Sequence, residues 1–170
     1  DSSNSHKEKE GVMSVKNPDE CCPRFDPKPW NEQEIHWEKK LFLKDHVTSF
    51  FHIPLNFAGK MVKNMARIEA NNAQPENMIV LSDENSLWGA DLYIEVNKAI
   101  PGSEMAELSG TFLSKVYEGS FSQMKNWIDD AKAFAGKKGH RIRKLFFYYT
   151  TCPKCSKKYG ENYVVILMQV

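Results

Sequence analysis

The sequence predicts an α+β fold in which two β-α-β-β units form a mostly antiparallel sheet, with two long helices on one face. Three observations predict it. Two stretches, around residues 57–68 and 121–134, carry apolar residues at three- and four-residue steps, the spacing of one helix face. Each stretch is preceded by one strand-like segment and followed by two. The last strand of each half is also introduced alike, by Trp88-Gly89-Ala90-Asp91-Leu92-Tyr93 and by Tyr159-Gly160-Glu161-Asn162-Tyr163-Val164. Such self-similarity at corresponding places is the mark of an internal duplication, over about residues 46–97 and 109–170.

Residues 1–17 are Ser, Lys, Glu, Asn and Gly with almost nothing to bury, and are expected to form a mobile polar tail. Residues 18–34 have neither helical nor strand period but carry Phe25 and Trp30 between prolines. They are read as an extended arm anchored by its aromatics against a single domain, residues 35–170. Ile35, Trp37, Leu41 and Leu43 then alternate with polar residues, with an interruption at Lys39-Lys40. Lys44-Asp45 is read as a turn into a second strand, Val47–Ile53, completing a hairpin. Pro54 suits a first helical position. Phe57, Met61, Met65 and Ile68 supply the apolar face of the helix, which fades at Asn71-Asn72.

Strands are expected at Asn77–Ser82 and Ala90–Asn97. In the second, Ala90, Leu92, Ile94 and Val96 share one face, and Asp91, Tyr93, Glu95 and Asn97 the other. The helix covers the apolar face, so the second face looks outward or into a cleft. Ser109–Glu118 is the next strand. Ser120 and Gln123 form a capping-box pattern ahead of Phe121, Met124, Trp127, Ile128, Ala131 and Phe134. Gly136 and Gly139 supply the helix stop. Lys144–Thr151 and Tyr163–Val170 close the fold, with a loop across Cys152–Gly160.

At 170 residues the chain is long enough for one domain with a full core. A net charge of +1 and basic runs confined to turns speak against binding nucleic acid by phosphate neutralisation. No apolar run approaches the roughly 18 residues of a membrane helix, and the start lacks the apolar core of a signal peptide. A cytoplasmic protein, monomeric or weakly dimeric, is expected.

Four cysteines form two pairs, Cys21-Cys22 and Cys152-Pro-Lys-Cys155. In a chain with no export signal disulfides are disfavoured. The second pair is a C-x-x-C knuckle whose thiolates, joined by the first pair, are candidate ligands for a structural zinc ion. Reduced thiols and a redox pair are the alternatives. A redox centre of this kind normally opens a helix, and Ser156–Gly160 reads as too short and broken for one.

Glu95 is the sharpest candidate: a carboxylate between aromatics on the non-helix face, fit to neutralise a cationic ligand or to act as a general base. Its bland alternative is an exposed strand glutamate. Phe51, Trp88, Tyr93, Tyr148 and Tyr149 are candidates to line an apolar cleft, and His52 is a candidate acid–base group. No nucleophile elbow, phosphate loop or H-E-x-x-H zinc helix is present.

The segment Val116-Tyr117-Glu118-Gly119-Ser120-Phe121, followed by Met124 and Trp127, resembles the strand, Gly-Pro-Tyr turn and Trp-bearing helix of the GyrI-like (gyrase-inhibitor-like) small-molecule-binding domains. Ser120-Phe121 stands where that family has Pro-Tyr. The resemblance covers about residues 35–170, and the segments Cys21–Pro27 and Tyr149–Cys155 resemble a particular bacterial branch. It implies a ligand groove between the repeat halves, taking a hydrophobic or weakly cationic small molecule, and a possible hydrolase of electrophilic toxins. The family's acidic residue usually lies in the second half, where this chain has Phe147-Tyr148-Tyr149. Three rival functions remain open at this point: a ligand sensor without its own DNA-binding domain, a haem binder of the SOUL type, and a zinc-stabilised interaction module.

Overall fold

One continuous strand, β1 (Gln33–Phe50), runs where a hairpin of two strands was expected. The Lys44-Asp45 turn does not form because both residues are held in a ladder. Lys44 pairs with Tyr93 and Asp45 with Leu92, and the Asp45 carboxylate accepts hydrogen bonds from Lys60 and Asn64 on the first helix. The computed structural model describes residues 24–50, 53–54, 56–150 and 153–170. The expected polar tail and the first part of the arm lie outside these residues.

The remaining elements follow as β2 (Ile53–Pro54), α1 (Phe57–Ala70), β3 (Val80–Ser86), β4 (Gly89–Glu95), β5 (Met105–Glu118), α2 (Met124–Lys137), β6 (Lys144–Tyr149), α3 (Pro153–Tyr159) and β7 (Tyr163–Gln169). Pro54 therefore sits in a short strand rather than opening α1. Pro153 takes the helix-opening role instead: a helix forms over the expected loop, with proline in its first position, where the missing N–H has no partner to lose.

The sheet is antiparallel at every pairing, and it closes. The order β1-β4-β3-β6-β7-β5 returns to β1 through a long β1–β5 ladder, giving a six-stranded barrel. An open sheet with one covered and one free face is thus replaced by an outside and an inside. Each three-strand set has the same order of pairing, β1-β4-β3 and β5-β7-β6, and the sets join at β1–β5 and β3–β6.

The two long helices, α1 and α2, pack on the outside. Ile68, with Met61 and Met65 of α1, covers Leu43, Ile94 and Val96. Trp127, Ala131 and Ala135 of α2 cover Leu113, Val164, Ile166 and Met168. Ser120 caps only a 3-10 turn at Phe121–Gln123, through a bond from Ser122 N–H, and α2 proper starts at Met124. Gly139, at a φ of 76°, ends that helix in the left-handed region, where a Cβ would be strained.

The inside is filled. Phe42, Leu81, Phe112, Phe146 and Leu167 are fully buried there beside Tyr93. The Tyr93 ring meets Phe146 edge-on at 5.5 Å and Phe42 at 6.2 Å, the T-shaped approach aromatic quadrupoles favour. The middle of the barrel is a core, so a ligand site inside the barrel lies at one of its ends. Across one end runs the chain before β1. Arg24 lies over the Tyr159 ring at 4.4 Å, Phe25 packs on Tyr148 and Tyr163, and Trp30 meets Tyr148 at 5.5 Å. Ser114 donates to the Trp30 carbonyl, and Val116 N–H to Asn31 Oδ1.

Candidate functional site

The inward row of β4 is Asp91, Tyr93 and Glu95, as the alternation predicts. Tyr93 belongs to the plug, so Asp91 and Glu95 face different ends of the barrel. At the Glu95 end lies a pocket of about 480 Å³, walled by Trp30, Ile35, Trp37, Pro75 and Ile79, with Lys40, Glu76 and Glu95 as its charged groups and Asn77 beside them.

A β-bulge builds this end. Trp37 pairs with Gly110 and Lys40 with Leu108, so β1 carries one residue more than β5 between those two pairs. Lys39 takes up the excess at a φ of 48°, and its N–H is held by Ser109 Oγ at 2.8 Å. The bulge reverses the alternation. Ile35 and Trp37 face the barrel interior, whereas Leu41 and Leu43 face α1. The four residues of the interrupted alternation therefore lie on two faces, and the interruption at Lys39-Lys40 is the point of change. Phe42 enters the plug as a result, and Lys40 enters the pocket.

Lys40 Nζ lies 3.2 Å from Glu95 Oε2 and 5.2 Å from the Trp37 ring centre. The Glu95 side chain is 12% exposed and that of Lys40 30%. A carboxylate this enclosed, beside an indole face, is a setting that attracts positive charge.

The Asp91 end is polar. Lys144 Nζ sits 2.8 Å from the buried Asp83 carboxylate and 5.2 Å from the Phe146 ring centre. Burial alone would lower the Lys144 pKa, but the Asp83 carboxylate outweighs it and raises it above the usual lysine value. Lys44 lies 3.9 Å from Asp91 and 3.8 Å from Glu104. His46 Nδ1 is 3.0 Å from Asp91 Oδ1, and its ring lies over Gly89, where a Cβ would come within 2.4 Å of Nε2. Gly89 is thus required at the start of β4 by a close approach, whereas Gly160, three residues before β7, holds a φ of 68°. The two glycines aligned by the sequence have different physical roles.

The predicted site residues scatter. Glu95 and Tyr93 share the inward row, and Tyr148 is reached there through Trp30. Tyr149 points the other way, toward α2, and its hydroxyl donates to Glu84; burial first, then the Glu84 charge, pushes its pKa above the usual tyrosine range. Trp88 is 58% exposed in the β3–β4 turn, about 23 Å of strand from Glu95 at the usual rise. Phe51, His52, Cys21, Cys22 and Cys152 lie outside the described residues, and Cys155 is buried on α3. Among the described residues no cluster of three metal-ligating side chains occurs. Tyr117 of the family-like segment stacks on Trp127 at 5.7 Å and donates to Asp130, which fixes α2 on β5 rather than lining the pocket. Sequence reasoning missed Trp37, Lys40 and Ile79 as pocket residues. The signal for two of them was the interruption at Lys39-Lys40.

Among families, the one described as Bacterial hydrolase matches residues 12–170. No curated protein matches the chain. Solved structures of similar shape include an uncharacterized conserved protein from Listeria innocua, 11% identical with a TM-score of 0.58, over 80% of this chain and 90% of that one. They also include SAV2435 bound to tetraphenylphosphonium, 10% identical with a TM-score of 0.47, over 80% of this chain and 91% of that one. A third is a putative transcription regulation protein from Staphylococcus aureus MU50, 10% identical with a TM-score of 0.45, over 81% and 97%. The Listeria likeness is one of fold. Among the described residues no helix is long and apolar enough to cross a membrane.

Proposed function

We propose that this chain, which belongs to the family described as Bacterial hydrolase, binds a hydrophobic or weakly cationic small molecule at the Glu95 end of the barrel and hydrolyses an electrophilic centre on it. The observation that carries the reading is an enclosed carboxylate in a pocket walled by two indoles and two aliphatic side chains. Ligand pockets are mostly apolar with a few convergent polar groups, which is the composition found here. In hydrolysis, Glu95 takes a proton from water as the water oxygen bonds to the electrophilic carbon. The leaving group departs with the bonding pair and is protonated from solvent. The matching pair order of the two strand sets supports reading the halves as a duplication, and the GyrI-like resemblance belongs with this proposal.

Two measurements test it. Quenching of tryptophan fluorescence by tetraphenylphosphonium should saturate, and Trp37→Ala should weaken binding at least tenfold; unchanged binding moves the site elsewhere. Diol formation from a panel of epoxides and acid release from activated esters should be catalysed, and Glu95→Gln should lower those rates by about 10²- to 10⁴-fold, the usual contribution of a general base. A Glu95→Gln protein with full rate removes Glu95 from the chemistry.

A further inference from the structure

A pocket suited to an organic cation already holds a cation of its own chain. Lys40 Nζ contacts both elements of such a subsite, the Glu95 carboxylate at 3.2 Å and the Trp37 ring at 5.2 Å. It arrives there because β1 is bulged. In an unbulged strand Lys39 would follow Trp37 on the inner face and Lys40 would turn toward α1. The extra residue, held by the Ser109 bond to Lys39 N–H, brings Lys40 inward instead.

We infer that Lys40 is a tethered competitor occupying the head-group position of the pocket, so that the ligand is a bulky, delocalised organic cation able to displace it. This rests on the binding reading above and names its ligand class. Among the described residues Lys40 has no charge partner other than Glu95. Its side chain is 30% exposed, so the ammonium can swing into water on its flexible stem and recover hydration there. Exchange therefore loses one ion pair and regains another with the same carboxylate.

A small, strongly hydrated ammonium gains nothing in that exchange, because the tethered group has the advantage of high effective concentration. A large cation adds contact with Trp30, Ile35 and Ile79, which the lysine stem does not fill, and its spread charge is less costly to desolvate. Lys40 thus acts as a filter: it excludes simple ammonium ions and inorganic cations and admits those carrying an apolar body.

Competition of this kind lowers apparent affinity by the fraction of molecules in which the subsite is open. The test is a fluorescence titration of the full chain with tetraphenylphosphonium and with tetramethylammonium, for the wild type, Lys40→Met and Lys40→Met/Glu95→Gln. Lys40→Met should bind tetraphenylphosphonium about tenfold more tightly and should bind tetramethylammonium measurably, where the wild type does not. The double variant should lose both gains. Circular dichroism melts check folding, and Lys40→Gln replaces the methionine variant if that one does not fold. A wild type that binds tetraphenylphosphonium while Lys40→Met binds it equally or more weakly overturns the inference and leaves the binding proposal standing. Binding by neither protein overturns the binding proposal, and the inference with it.

Discussion

The inward row of β4 ends in a carboxylate at each end, and the two carboxylates are treated in opposite ways. Asp91 lies in a web with Lys44 and His46, and close by Lys144 forms an ion pair with the other buried carboxylate, Asp83. Among the described residues Glu95 has one charge partner, Lys40, in a mostly apolar pocket that Glu76 and Asn77 also border. A charge with several partners stays put when one moves. A charge with a single, flexible partner is available for exchange. The polar end therefore holds the barrel, and the aromatic end is left for a ligand, with the plug of Phe42, Tyr93, Phe112 and Phe146 between them.

The largest expected effect tests that plug. Phe146 is fully buried and in ring contact with Tyr93, so Phe146→Ala should destabilise the protein by about 3–5 kcal/mol in urea denaturation. A loss under about 1 kcal/mol would mean that the barrel centre is loosely filled. The two ends would then be one continuous cleft, and the comparison between them would fall.

Next in size is the contrast between the two lysines. Lys144→Met leaves the buried Asp83 carboxylate unpaired and should cost about 1–3 kcal/mol, less than a fully buried pair because Lys144 is two-fifths exposed. Lys40→Met should cost less, under about 1 kcal/mol, because Glu95 lines a pocket in which water can solvate the carboxylate once the ammonium is gone. Equal losses would erase the distinction. The pH dependence sharpens it. The folded pKa of Lys144 is raised, so its contribution is fully present below the unfolded value of about 10.4 and is lost as pH rises through the folded one. Tyr117 and Tyr149, whose pKa values are also raised, add alkaline losses of the same sign in both proteins. The difference between wild type and Lys144→Met should therefore shrink above about pH 10.4. A difference constant to pH 12 would assign the loss to packing instead of charge.

How far these ends were legible in the sequence follows from what kind of contact makes them. The β4 alternation placed Asp91, Tyr93 and Glu95 on one face because period-two patterning is local. The helices were legible for the same reason. Closure of the barrel was not, because it rests on β1–β5 and β3–β6 pairings between residues about 70 apart, which leave no local trace. Lys44-Asp45 looked like a turn by composition, since nothing in the sequence shows that Asn64 and Lys60 will meet Asp45 from α1. The bulge left a visible break in the pattern. It falls on Lys39, a residue that seldom takes a positive φ, so its meaning for the next residues was hidden. Aromatic character alone puts Tyr148 and Tyr149 together in a cleft, but adjacent strand residues face opposite ways, and of the two Tyr148 is on the inside.

The smallest effect concerns how the polar end is closed. Gly89 lies under the His46 ring, and a Cβ there would stand 2.4 Å from Nε2 and 3.1 Å from the Val47 carbonyl oxygen. The imidazole is the mobile end of an exposed side chain, so it yields before the backbone does. Gly89→Ala should therefore cost about 1 kcal/mol, the scale of one hydrogen bond, as His46 leaves Asp91. Adding His46→Ala should restore most of what the alanine took, because the obstructing ring is gone and Lys44 still faces Asp91. A double-mutant cycle in urea reads this directly as a coupling of opposite sign to the single losses. Losses that simply add would show that Val47, not His46, sets the requirement for glycine. The His46–Asp91 contact would then be a passenger on the strand, and the polar end would be held by its lysines alone.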